Sequence, residues 1–374
     1  MTFTDHAGIG HLGRHDRQTW WPLDIPTYDG DPSVGHPSVV FAPQGWNGYR
    51  YWMAFTPFPD DRREEPSIVV SQDGIHWQVP DGGSNPVVAA AEIRGAGYHF
   101  NSDPELVLVA DGSMLLYYRP FSRAGNEAIF CKRSRDGIQW SQGRMVVSNP
   151  TVRYPAGLLS PAVEVSPDGL VMWTVNGLGF GRRVVERRTS LDGLAWSRPE
   201  RCTVPSRVNP WHVDVVAAGS RYHMLVSDRT RLCYWTSKDG RTWTGSRHRS
   251  VARTGTGHDA RGHYRSTLAA TGATPPRWDV WVTGEDGSGR SVFGDVWRIG
   301  LLRDVDLAAD QSGEERRDLW LESRWRWQAL RGQALEQVLI GTARLRRTAN
   351  RLLPGRRRMP RGGADEGSDD RGRR

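Results

Sequence analysis

One short signature, Ser-x-Asp-Gly-x-x-Trp, occurs four times in this chain: Ser71 to Trp77, Ser134 to Trp140, Ser190 to Trp196 and Ser237 to Trp243. Self-similarity at a period of roughly 50 to 60 residues marks a repeat architecture, which constrains the fold more than any other feature. Each copy follows an apolar, β-branched or aromatic run, as Ser67-Ile68-Val69-Val70 does before the first, and leads into another short strand. Asp-Gly supplies a tight turn with φ > 0, so every copy reads as strand, turn, strand. The aspartate is expected to accept backbone N–H bonds in its own turn, and the tryptophan to pack between repeat units.

Two further strands precede each copy. The first opens with proline or a polar residue: His36-Pro37-Ser38-Val39-Val40, Asp103-Pro104-Glu105-Leu106-Val107, Ser160-Pro161-Ala162-Val163-Glu164 and Trp211-His212-Val213-Asp214-Val215. The second is rich in Tyr, Trp and Met: Tyr49 to Thr56, Met114 to Arg119, Leu170 to Val175 and Tyr222 to Ser227. A fifth unit without the signature runs from Tyr264 through Trp278–Thr283 to Val296–Gly300. Four strands per unit and five units predict an all-β fold, a five-bladed β-propeller of four-stranded antiparallel blades. Hydrophobic residues make up only 37% of the chain, and its 17 Trp offset this by filling the seams between blades.

The expected domain organisation is an edge-wrapping segment over 1–31, carrying Trp20-Trp21-Pro22, a propeller over 32–310, an amphipathic helical extension over 311–353 and a disordered basic tail over 354–374. From Gln311 to Arg374 there are 16 Arg against 9 acidic residues, so most of the formal charge of +8 belongs to this end. Leu319, Trp320, Trp325, Trp327, Leu330, Leu335, Val338 and Leu339 recur there at mixed helical spacing. A docking helix is one reading. Contact with an anionic membrane surface or nucleic acid, aided by Arg356-Arg357-Arg358, is another, although no specific nucleic-acid motif is present. No secretory signal and no apolar run long enough to span a membrane are visible, so the default address is cytoplasmic. Cys131, Cys202 and Cys233 read as free, buried thiols.

The functional question is which side chains face the central channel. The innermost strands start at its mouth, and these starts read His36, Asp103 with Glu105, Ser160 with Glu164, His212 with Asp214, and Arg265. Alternation places Asp103 and Glu105 on one face, and likewise His212 and Asp214. Carboxylates, imidazoles and a guanidinium around one funnel point to a polar ligand site instead of a packed core.

The blade count, the Asp-Gly-x-x-Trp turns and the segment Trp46-Asn47-Gly48-Tyr49-Arg50-Tyr51-Trp52-Met53-Ala54-Phe55-Thr56-Pro57 resemble the five-bladed propeller glycosidases: arabinanases, β-xylosidases, invertases and levansucrases. The resemblance spans roughly Pro32 to Asp304 and implies a carbohydrate substrate in the funnel. It does not carry over a catalytic triad. Where arabinanase-like members place Asp-Pro, Asp-Pro and Glu, this chain has His36-Pro37, Ser160-Pro161 and Trp211-His212, and the invertase pattern is absent from those places too. Asn101-Ser102-Asp103-Pro104 is the Asp-Pro type of strand opening, in the second blade instead of the first.

Glycoside hydrolysis uses two carboxyl groups across the scissile bond, and groups on different blades suit the longer separation of inverting enzymes. The expectation is therefore Asp103 or Asp214 as base and Glu164 as acid, its pKa raised by depth in the channel. His36, Glu105, Arg119, Ser160, His212 and Arg265 would contact substrate, with Trp46 or Trp211 stacking on a sugar ring. A non-catalytic glycan-binding or scaffolding propeller is the main alternative, and an adaptor acting through the basic tail a further one. No cofactor and no catalytic metal are expected: His258 and His263 lack a ligand partner at metal-binding spacing, and Gly177-Leu178-Gly179-Phe180-Gly181 lacks the rest of a phosphate loop. A structural Ca²⁺ in the channel is left open.

Overall fold

The computed structural model describes residues 20–58, 64–89, 100–121, 127–149, 157–179, 182–206, 208–228, 231–246, 250–251, 257–286 and 296–308. The helical extension expected over 311–353 and the tail over 354–374 lie outside these residues, as does most of the segment 1–31.

Five antiparallel sheets form the fold. A short strand, β1 (Trp21–Pro22), comes first in the chain. Blade 1 follows with β2 (Val34–Trp46), β3 (Tyr49–Pro57) and β4 (Ser67–Ser71), and a single bridge from Val70 to Gln78 takes the place of a fourth strand. Blade 2 comprises β5 (Phe100–Leu108), β6 (Met114–Phe121), β7 (Glu127–Ser134) and β8 (Arg144–Asn149). Blade 3 comprises β9 (Leu159–Ser166), β10 (Gly169–Gly179), β11 (Arg182–Ser190) and β12 (Glu200–Arg201). Blade 4 comprises β13 (His212–Ala218), β14 (Arg221–Ser227), β15 (Leu232–Ser237) and β16 (Thr244–Gly245). Blade 5 comprises β17 (Gly262–Ala270), β18 (Trp278–Glu285) and β19 (Trp297–Val305), and β1 completes it by pairing Trp21 with Leu301 and Pro22 with Gly300. The first strand of the chain is thus the outermost strand of the last blade.

The signature turns act at the seams. Asp73 Oδ1 accepts the backbone N–H groups of Ile75 at 2.8 Å and His76 at 2.9 Å, and Asp136, Asp192 and Asp239 repeat the arrangement. The glycine that follows lies against an aromatic ring from the preceding blade. Trp281 Nε1 donates to Gly74 O at 3.0 Å, Tyr117 Oη to Gly193 O at 2.9 Å and Trp173 Nε1 to Gly240 O at 2.8 Å. Gly74 has φ 76°, and a Cβ there would stand 2.9 Å from the Trp281 ring, so glycine is required twice over. Trp77, Trp196 and Trp243 then lie edge-on to Trp281, Tyr117 and Trp173 in the same three seams.

A second device closes the ring near the axis. The inner strands β2, β5, β9, β13 and β17 touch in cyclic order, and each offers one polar side chain to the backbone of the next. Ser38 Oγ accepts from Leu106 N at 2.9 Å, Glu105 Oε1 from Val163 N at 3.1 Å, and Glu164 from Ala217 N. Asp214 Oδ2 accepts from Leu268 N at 2.9 Å, and Thr267 Oγ1 from Val39 N at 3.3 Å, which returns to the first blade. The N–H groups of the buried residues Leu106, Val163 and Leu268 would otherwise be donors without a partner, at a cost of about 1–3 kcal/mol each.

Cys131, Cys202 and Cys233 are buried and not disulfide-bonded. Among the described residues no helix is long and apolar enough to cross a membrane.

Candidate active site

Three inner strands reach the axis through the same backbone anomaly. His36, Asp103 and Ser160 each precede a proline, and each has a left-handed backbone, with φ of 55°, 51° and 47°. The strand ladders shift register at these points, between Gly35 and Ser38, between Ser102 and Glu105, and opposite Ser160 between Trp173 and Val175. A non-glycine residue in this conformation is held there by its surroundings, and a bulge re-aims its side chain out of the regular alternation.

The outcome is a buried cluster. One ligand-type atom from each of His36, Asp103 and His212 lies within 4.8 Å of the other two. His36 Nε2 and His212 Nδ1 both stand 3.6 Å from Asp103 Oδ1. Asp103 Oδ2 accepts from Arg119 Nε at 2.8 Å and from Ser160 N at 3.4 Å, while Oδ1 accepts no hydrogen bond. His36 Nδ1 meets Thr56 Oγ1 at 2.8 Å, and His212 Nδ1 meets Ser160 Oγ. His212 Nε2 has no hydrogen-bond partner, nor has Glu64 Oε2, 3.5 Å from His36 Nδ1.

Electrostatics sort these groups. Burial drives the His36 imidazole down to about 4, with Arg265 and Arg119 adding to the effect and Asp103 opposing it. Burial likewise holds His212 well below its usual value, against the pull of Asp103. Both rings are therefore neutral at physiological pH. For Asp103, burial opposes ionisation, but the Arg119 and Arg265 guanidiniums help to hold the carboxyl well below the usual carboxylate range. Glu64 goes the other way: burial and the charge on Asp103 raise it to about 8, against Arg119. One buried cluster thus contains an ionised carboxylate, a protonated carboxyl and two neutral imidazoles.

An aromatic wall stands beside the cluster. The Tyr264 ring lies 4.5 Å from His212, 5.5 Å from His36 and 4.6 Å from Trp297, and Trp211 Nε1 donates to Tyr264 Oη at 2.9 Å. Arg183 covers the Trp211 ring at 4.1 Å.

The other expected residues lie lower or elsewhere. Glu105, Glu164 and Asp214 line a cavity of about 390 Å³ together with Ser38, Thr267 and an apolar collar that includes Phe41, Val165 and Val216. Neither Asp103 nor either histidine lines it. Of the two expected pairings across one hollow, Asp214 and Glu164 do share this cavity, whereas Asp103 lies outside its lining, in the layer above, and that pairing is corrected. Glu164 and Asp214 also belong to the ring that joins the blades. Burial raises Glu105 and Glu164 to about 8 and Asp214 to about 6. Glu105 also departs from substrate contact, since Arg265 Nη2 binds its Oε2 at 3.2 Å and Pro104 O at 3.0 Å, while Arg265 Nη1 stands 3.5 Å from Asp103 Oδ1. Arg265 thus links the two layers from a fully buried position. Trp46 is corrected as well. It ends β2, where its Nε1 donates to Gly112 O at 3.0 Å and its ring packs on Trp52, far along the strand from His36. His36, Arg119, Ser160, Trp211 and His212 do gather around Asp103.

Glu64, Thr56 and Tyr264 complete the site without having been singled out. Glu64 sits in the connection between β3 and β4, outside the repeat, in the charged run Asp60-Asp61-Arg62-Arg63-Glu64-Glu65, where nothing in the sequence signals burial. The candidate metal donors, 36, 103 and 212, come from three blades and have no spacing that a linear motif could reveal.

In overall form the chain matches solved carbohydrate-active propellers. An N-acetylgalactosamine deacetylase from F. plautii, in complex with blood group B trisaccharide, superimposes with a TM-score of 0.67 at 24% identity, covering 76% of this chain and 94% of that one. The family 117 glycoside hydrolase Zg3597 from Zobellia galactanivorans follows at 0.55 and 14%, covering 78% and 92%, and a thermostable family-43 glycoside hydrolase at 0.51 and 13%, covering 75% and 95%. The fold shared with them is the five-bladed β-propeller. In sequence, the A type blood N-acetyl-alpha-D-galactosamine deacetylase of Flavonifractor plautii is 29% identical over 281 residues, covering 59% of this chain and 36% of its own length. The chain thus spans about a third of that curated relative. No protein-family model matches it.

Proposed function

We propose that this propeller is a hydrolase of N-acylated sugars, a deacetylase of amino-sugar residues in an oligosaccharide, with His36, Asp103 and His212 as ligands of a divalent metal ion. The observation that carries the reading is the donor set: two neutral imidazoles and one ionised carboxylate, buried within 4.8 Å of one another, with Asp103 Oδ1 and His212 Nε2 lacking any hydrogen bond. Two nitrogens and one oxygen suit zinc and its first-row neighbours and leave positions open for substrate and water. The F. plautii relative, named as an N-acetylgalactosamine deacetylase, favours the amide of an acetamido sugar as the bond attacked.

Hydrolysis adds water across that amide: oxygen bonds to the carbonyl carbon, the C–N bond breaks, acetate departs and the amine takes up a proton. A bound divalent ion polarises a carbonyl and makes water more acidic. The protein supplies the rest. Glu64, protonated up to about pH 8, carries a proton that it can deliver to the leaving nitrogen. Arg119 and Arg265 keep Asp103 ionised and therefore able to ligate. Tyr264 and Trp211, both half-buried, offer ring surface to the sugar.

A glycosidase is the second reading, favoured by the same pairing of a protonated Glu64 with an ionised Asp103, the division of labour that glycoside cleavage needs. One assay separates the two. The full chain is incubated with oligosaccharides ending in N-acetylgalactosamine, and acetate and free reducing sugar are both measured. The deacetylase reading expects acetate that disappears on chelation and returns with added Zn²⁺ or Mn²⁺. Reducing sugar without acetate, indifferent to chelator, would overturn it in favour of the glycosidase.

A further inference from the structure

We infer that Thr56 and Ser160 are positioning residues whose hydroxyls set the tautomers of His36 and His212, so that both rings keep a bare Nε2, that of His36 facing Asp103. The inference rests on the metal-site reading above but concerns residues that touch neither metal nor substrate.

The chain of donors and acceptors fixes the first ring. Thr56 is fully buried, and its Oγ1 has one proton, which it donates to Gly35 O at 3.4 Å. At the other contact, 2.8 Å from His36 Nδ1, the same oxygen must then accept. His36 therefore carries its proton on Nδ1, and Nε2, the atom 3.6 Å from Asp103 Oδ1, keeps its lone pair. The second ring, from another blade, is held in a different orientation: His212 Nδ1 contacts Ser160 Oγ and also lies 3.6 Å from the ionised Asp103 Oδ1, which favours a proton on Nδ1, and Nε2 has no hydrogen-bond partner. The Ser160 main chain is placed by its left-handed conformation and by the bond from its N–H to Asp103 Oδ2. Thr56 is fixed by register, because Gly35 and Thr56 are cross-strand partners in β2 and β3. Two β-hydroxyls on two blades thus do for two imidazoles what a carboxylate or carbonyl commonly does behind a ligating histidine.

The test uses the full chain, stripped of metal and labelled with ¹⁵N-histidine, in wild-type form and as Thr56→Val, Thr56→Ser and Ser160→Ala. Ring-nitrogen shifts report the tautomer, and calorimetric titration with Zn²⁺ reports affinity. The expected result is a bare Nε2 on His36 in the wild type and in Thr56→Ser. In Thr56→Val, which keeps the shape and loses the acceptor, Zn²⁺ affinity falls about 10- to 100-fold with little change in melting temperature. Ser160→Ala does the same through His212 and serves as the second variant should Thr56→Val fold poorly. A wild-type His36 protonated on Nε2, or variants that bind Zn²⁺ within threefold of the wild type, would overturn the inference. A wild type with no affinity for any divalent ion would overturn the metal reading instead, and the ring-nitrogen shifts would still decide the tautomer.

Discussion

The two polar layers along the axis both draw on the inner strands, yet they differ in what their atoms do. In the lower layer Ser38, Glu105, Glu164, Asp214 and Thr267 each accept a backbone N–H of the next blade. In the upper layer Asp103 Oδ1, His212 Nε2 and Glu64 Oε2 are buried and accept or donate no hydrogen bond. Carboxylates committed to a neighbour's backbone are assembly devices, whereas buried acceptors left without a donor mark the place where a ligand belongs. Two residues along one strand, Asp103 and Glu105, separate the two roles.

Substitutions can break this contrast. The largest effect is expected at Asp103→Asn, which removes the anionic ligand while keeping the shape: acetate release should fall by roughly a thousandfold, about 4 kcal/mol in the barrier, with Zn²⁺ affinity falling alongside it. The same change at Asp214 retains an acceptor oxygen for Leu268 N–H and should leave both readings near wild type. Asp214→Ala does not retain it. Leaving that buried N–H without a partner should cost about 1–3 kcal/mol in a denaturant titration, with Zn²⁺ affinity unchanged. Lost metal binding in Asp214→Ala would show that the layers are not separable.

The smallest effect is a pH dependence. Glu105 and Glu164 are raised to about 8 and Asp214 to about 6, mainly by burial. A carboxyl whose folded pKa exceeds its unfolded value binds its proton more tightly when folded, so its contribution is complete below about pH 4 and is lost as pH rises through 6 to 8. Asp103 runs oppositely: its contribution is present above its ordinary pKa and lost only in strong acid. The melting temperature should therefore decline between pH 5 and pH 8.5, and Glu164→Gln should flatten part of that decline. An equal slope in the variant would remove Glu164 from the account.

Much of this architecture was legible in the sequence, because repeats declare themselves through turn chemistry. The four Ser-x-Asp-Gly-x-x-Trp turns marked four blades and the strand pattern from Tyr264 the fifth, and the Asp and Trp residues of the turns act in the turns and seams as their chemistry required. The polar openings of the inner strands pointed to the axis. The division between layers was not legible, because strand alternation puts Asp103 with Glu105 and His212 with Asp214. Only the left-handed pre-proline bulge at Asp103 and the depth of each residue along the channel separate them. Proline after His36, Asp103 and Ser160 was the visible trace of that bulge. Glu64 left no trace, since it belongs to a connection between strands, and Trp46 misled because an aromatic near a strand end suits a seam as well as a sugar.

Anomalous diffraction from crystals of the full chain grown with Mn²⁺ or Zn²⁺ addresses the central claim most directly. A single strong peak among His36 Nε2, Asp103 Oδ1 and His212 is the predicted result. A peak among Glu105, Glu164 and Asp214 instead, or none at either layer, would contradict it.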